Sequence, residues 1–141
     1  MASDTEKADA ITRRRAQYMP FLAVALLAQQ SLFIRWGGQT VTLVQTAAWV
    51  VLVLVVLLAI LTGGNWFANS RVRQLANDEV TRANRAVAIE RGFTAAMLTT
   101  VLVFAISPIE PITAQRSAHL IVSIGLAVTL LVFGLEERKS L

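Results

Sequence analysis

The chain of 141 residues has no cysteine, one histidine, one tyrosine and three prolines, and only 16% of it is charged. Without cysteine there is no disulfide scaffold and no thiolate zinc site. The low charge excludes a disordered tail, because such segments combine high charge with few apolar residues. Ordinary globular chains carry about 25% charged residues. Here the balance has moved to hydrocarbon, with 55% hydrophobic residues and a mean hydropathy of +0.60. That composition points to a bilayer rather than to water. A pI near 10.7 suggests nucleic acid only until the positions of the cations are counted.

A helix needs about 20 mostly apolar residues to span a membrane. Four stretches without Asp, Glu, Lys or Arg approach that length: Tyr18 to Ile34, Val41 to Leu61, Phe93 to Ile109 and Ala118 to Leu135. The second holds the longest unbroken apolar run, Trp49 to Leu61. The first is interrupted by Gln29, Gln30 and Ser31. Arg13, Arg14 and Arg15 before a short apolar stretch resemble the start of a signal peptide. No small-residue cleavage site follows at a suitable distance, so the segment reads as an uncleaved span.

Orientation follows from the cations. With four spans, an N-terminal arm (1–17), a central loop (62–92) and a C-terminal tail (136–141) share one side. That side holds eleven of the thirteen Lys and Arg residues, and eight acids reduce its net charge to +3. Both termini are therefore expected in the cytoplasm. The predicted fold is all-α: an integral membrane four-helix bundle of two transmembrane hairpins with a helical cytoplasmic loop. Trp36, Gly37 and Gly38 suit the first outer turn, and Pro108 and Pro111 the second. Gly63 and Gly64 are placed to stop the second helix, with Trp66 at headgroup depth.

The loop is the largest polar segment. Residues 69 to 91 contain no Gly or Pro, and apolar positions recur at three- and four-residue spacing. Asn77 or Asp78 is placed as an N-cap, and Asp78 precedes Arg82 by the four residues that suit a helical ion pair. A helix from Asp78 to Gly92 would extend the third span by about 22 Å. In the arm, Asp9-Ala10-Ile11-Thr12-Arg13 echoes Asp78-Glu79-Val80-Thr81-Arg82. Either a duplicated hairpin or a shared vocabulary of helix starts explains the echo.

The stretch from Asn77 to Arg85, Asn-Asp-Glu-Val-Thr-Arg-Ala-Asn-Arg, resembles uncharacterised small bacterial four-span inner-membrane proteins, in which an Asp-Glu pair followed by Thr and Arg occupies the inner loop. The resemblance implies the four-span fold and the inner membrane as compartment. It implies no reaction.

No catalytic constellation emerges. His119 has Glu110 and Arg116 nearby in sequence, which reads as a solvated interfacial set rather than a triad or metal site. No cofactor or metal is expected, and the chain is read as a non-enzyme. Proton-coupled drug efflux of the familiar four-span type needs an embedded carboxylate, and the first span has none. Two readings remain. In the first, the basic loop acts in an interaction or regulatory role, with Arg71, Arg73, Asp78, Glu79, Arg82 and Arg85 meeting a cytosolic or membrane protein. In the second, Gln29, Gln30, Gln45, Thr46, Thr99 and Thr100 line the path of a small oligomeric channel or transporter; the same groups also serve as interhelical glue. Pairs of small residues, Ala95 with Thr99, Ala96 with Thr100 and Ser123 with Ala127, allow close helix approach and suit a homodimer. Nucleic acid is not expected as a partner, since acids interleave the loop arginines and stacking aromatics are few.

Overall fold

The computed structural model describes residues 4–35, 43–63 and 79–140, and within them the chain forms four α-helices and no strand. They are α1 (Asp4–Arg35), α2 (Leu43–Thr62), α3 (Glu79–Ile106) and α4 (Ala114–Lys139). Three of these, α2, α3 and α4, are long and apolar enough to cross a membrane. From Asp4 the arm and the first apolar stretch are one continuous helix, as are the third apolar stretch up to Ile106 and the residues preceding it from Glu79. The polar and apolar segments differ in solvent preference but not in backbone.

Helix ends follow from local chemistry. Gly63, at φ 72°, takes the left-handed conformation that closes α2. α3 stops at Ile106, three residues before the apolar stretch ends, because Pro108 lies just ahead. Ser107 Oγ donates to the Phe104 carbonyl at 2.9 Å in the turn that follows. Thr113 then caps α4, its hydroxyl accepting from the Arg116 amide at 3.3 Å. Trp36, Gly37, Gly38, Gly64, Trp66, Asn77 and Asp78 lie outside the described residues.

α4 is the hub. It packs extensively against both α1 and α3, and more sparsely against α2. Its apolar stretch is far more buried than that of α3. The two expected hairpins are therefore unequal: α3 and α4 form a close one, whereas α1 finds its main neighbour in α4 rather than in α2. Contacts at both ends set the directions. Arg85 of α3 reaches Leu61 at the end of α2, and Gln115 near the start of α4 reaches Thr46 near the start of α2. α3 thus runs opposite to α2 and α4, and α1, whose Arg15 meets Glu137 and whose Pro20 meets Gly134 further back along α4, runs with α3.

Where lipid tails are as apolar as leucine, close packing rather than water exclusion holds helices together. Two contacts supply it. A Cβ on Gly92 would overlap Thr129 Oγ1 and come within 2.7 Å of the Gly125 carbonyl oxygen; one on Gly125 would lie 3.0 Å from Ala96 Cβ. The α3–α4 crossing is thus built from Gly92 and Ala96 facing Gly125 and Thr129, with Thr129 Oγ1 turned back to donate to Gly125 O at 2.9 Å. At the α1–α4 crossing, a Cβ on Gly134 would stand 2.6 Å from Pro20 Cδ. Of the expected small pairs, Ala96 takes part in the first crossing, and Ser123 and Ala127 are buried on α4. Outward-facing apolar side chains are large and numerous, among them Phe21, Leu54, Phe93, Val101 and Phe104.

Candidate functional site

The buried charged side chains among the described residues gather at one end, where the first half of α1, the start of α3 and the last turn of α4 meet. Glu137 lies in that last turn, where a carboxylate faces the negative end of the helix dipole and needs a cation. Arg15 provides it. Its Nη1 is 3.5 Å from Glu137 Oε2, and both side chains are 0% exposed. One turn earlier on α4, Phe133 sets its ring 5.7 Å from the guanidinium carbon, within cation–π range. From the other flank, Asn84 Nδ2 donates to Glu137 Oε1 at 3.4 Å. One carboxylate is therefore held by an arginine of α1 and an amide of α3.

The neighbouring bond shows how closely the end is fitted. Pro20 interrupts α1 and has no N–H, so the Ala16 carbonyl four residues earlier loses its helical donor. Arg138 Nε donates to that carbonyl at 3.3 Å. The side chain thus replaces the missing backbone donor, while Gly134, one turn away on α4, makes room for the proline ring. Lys139 pairs with Glu136 at 2.7 Å on the exposed side of the same turn.

A buried ion pair adds little net stability against an apolar pair of the same shape, but removing one member is costly. Its geometric effect is to fix the relative height and rotation of α1, α3 and α4. Around it Arg13, Arg14, Glu79, Arg82 and Arg138 remain exposed. Arm, α3 start and tail form one surface.

The residues expected from sequence divide between several places. Arg71, Arg73 and Asp78 lie outside the described residues. Glu79 and Arg82 are exposed on the first turns of α3. Arg85 is half-buried, and its Nη1 donates to the Leu61 carbonyl at 2.7 Å, satisfying one of the last carbonyls of α2. Thr99 and Thr100 donate to the Ala95 and Ala96 carbonyls of their own helix, each at 2.8 Å. Gln29 and Gln45 are half-buried, Thr46 accepts from Gln115 at 3.1 Å, and the side chain of Gln30 lies outside those described. His119 is buried and stacks on Trp49 with centroids 4.8 Å apart, whereas Glu110 and Arg116 are exposed. Among the described residues no group of three His, Asp or Glu stands close enough to hold a metal ion.

Arg15, Asn84, Glu137 and Arg138 were not singled out as a set by sequence. The available signals were an acid in the last turn of a long helix, which asks for a cation, and a proline inside another, which frees a carbonyl that asks for a hydrogen-bond donor. Compared with protein-family models, with curated proteins and with solved structures, the chain finds no match.

Proposed function

We propose that this chain is a non-enzymatic integral membrane protein that spans a bacterial inner membrane four times, with both termini cytoplasmic. Its role is interaction or regulation, carried by the end at which arm, α3 and tail converge. The observation that supports this reading is the buried Arg15–Glu137 pair with Asn84, which locks three segments distant in sequence into one polar surface. Such pre-ordering lowers the entropic cost of binding a protein partner. The exposed apolar faces of α2 and α3 suit lipid, and a second copy of the chain completes the proposed assembly as a homodimer.

Topology is tested first. The absence of native cysteine allows single cysteines to be placed at Ala10, Glu79, Glu110 and Ser140. An impermeant maleimide applied from the periplasmic side should label the Glu110→Cys variant alone. Labelling at Ala10→Cys or Ser140→Cys refutes the orientation. For function, mild extraction and native mass spectrometry should show a discrete second protein that is lost on reversing Arg14 and Arg82 to Glu. These two are exposed, unlike Arg15 and Arg85, so the substitutions spare the fold. Unchanged co-purification counts against the proposal. Solute flux in reconstituted vesicles that disappears on Gln29→Leu or Gln45→Leu would replace it with the channel reading.

A further inference from the structure

Between α2, α3 and α4 lies a groove of about 360 Å³, within the roughly 300–1,000 Å³ range of ligand pockets. Leu57 and Leu61 line it from α2, Ile89 and Phe93 from α3, and Ile121 and Val122 from α4. Among the described residues Thr129 is its one polar side chain, and that hydroxyl already donates to Gly125. Gly92, Ala96 and Gly125, the residues of the α3–α4 crossing, form part of its floor. It opens outward, since Leu57, Leu61 and Phe93 keep much of their surface exposed.

Its cationic end matters as much as its walls. Arg82, Arg85, Ile89, Gly92 and Ala96 follow one another at three- and four-residue spacing, so a single face of α3 runs from two arginines into the groove. Arg85 is held at the mouth, because the carbonyl it binds at 2.7 Å belongs to Leu61, itself a lining residue. That bond uses one N–H of a guanidinium that has five. The others, with exposed Arg82 one turn away, are placed to meet an anion at the level where the apolar walls end.

We infer that this groove holds one acyl chain of an anionic phospholipid whose phosphate is bound by Arg82 and Arg85. Apolar walls that end at two arginines match the two halves of an anionic lipid, an acyl chain and a phosphate. Charge favours an anionic headgroup over a neutral one, since each cation near the surface attracts anionic lipid by about 1 kcal/mol.

The inference rests on the bilayer reading, which carbonate extraction of the same membranes tests separately. The experiment is native mass spectrometry of the full chain released from vesicles of equal phosphatidylglycerol and phosphatidylcholine. One retained phosphatidylglycerol per chain is expected, with phosphatidylcholine in the minority. Arg82→Gln and Arg85→Gln should each reduce the phosphatidylglycerol adduct about five-fold, the equivalent of about 1 kcal/mol. Leu57→Trp, which fills the groove from the sparsely packed α2 side, should remove the adduct of either lipid. Arg82→Gln and Leu57→Trp leave the Arg85–Leu61 bond intact, so they decide the matter if Arg85→Gln misfolds. Equal retention of the two lipids, or a phosphatidylglycerol adduct that survives both decisive variants, overturns the inference. So does a lipid-free dimer that Leu57→Trp dissociates, which assigns the groove to a second copy. Loss of the chain on carbonate extraction instead removes the bilayer reading itself.

Discussion

Replacing Arg15 by Met, Glu137 by Leu, and both together should give a sharply non-additive thermodynamic cycle. At 3.5 Å and an effective dielectric near 20, two unit charges attract by about 5 kcal/mol. Desolvation of two fully buried groups offsets most of that in the intact protein, so the net worth of the pair is small. The single variants have no such offset. Arg15→Met leaves a buried carboxylate bonded to the Asn84 amide at 3.4 Å, and a buried charge that has lost its counter-ion costs about 3–5 kcal/mol. Glu137→Leu takes the carboxylate from a buried guanidinium whose other contacts, the Phe133 ring at 5.7 Å among them at about 0.5–2 kcal/mol, reduce the cost below that of the first variant. The double variant puts two apolar side chains of similar volume in the same space and should lie within about 1 kcal/mol of the parent. The coupling energy should therefore be about 3 kcal/mol or more, at the upper limit of what neighbouring residues usually show. Unfolding in mixed micelles with increasing denaturing detergent, followed by helicity, measures all four corners. Single variants that each cost less than about 1 kcal/mol and add simply would refute the assignment of this pair as the clamp between α1 and α4.

Three further outcomes follow from the packing. Gly92→Ala forces its methyl onto Thr129 Oγ1 and toward the Gly125 backbone, and should lower stability in the same titration by about 1–3 kcal/mol; adding Thr129→Ala should recover only part, because the backbone contact at 2.7 Å remains. Arg138→Met should cost about 1–2 kcal/mol beside Pro20, but under about 0.5 kcal/mol in a Pro20→Ala background, where a backbone N–H again reaches the Ala16 carbonyl. Arg85→Met should speed amide hydrogen exchange in the last turn of α2 while leaving α4 protected, since only the Leu61 carbonyl loses its donor.

The apolar runs carried the helices but not their mutual arrangement. Trp49 to Leu61 announces a span in any environment, and Gly63 and Pro108 end helices by backbone rules that act locally. Membership of the hub was illegible because α2 is the more apolar helix of the two and yet the less buried. In a bilayer, hydropathy reports affinity for lipid, not for protein. The contact-forming signals on α4 are instead small and polar: Gly125, Thr129, Gly134 and Glu137. Arg15 shows the same limit. Counted with Arg13 and Arg14 it is a topology signal, and only the helical rotation places it inward while the other two stay exposed. The echo between Asp9–Arg13 and Asp78–Arg82 gained a physical correlate. Thr12, Arg15, Met19 and Ala23 on α1 have the same spacing as Thr81, Asn84, Ala88 and Gly92 on α3, and Arg15 and Asn84 occupy matching positions on opposite oxygens of Glu137.

The position of the hub in chain order has a consequence for biogenesis. α4 is the last of the four helices to leave the ribosome, yet α1 and α3 find their principal neighbour in it and α2 also packs against it. From Ile106 to Lys139 the ribosome adds 33 residues, which takes about 2–7 s at 5–20 residues per second. For that interval Arg15 has no Glu137, the Ala16 carbonyl has no Arg138, and the Gly92 face of α3 has nothing to cross. Until the fourth helix arrives, α1 and α3 lack their principal neighbour, a loosely associated state open to a chaperone or a quality-control protease.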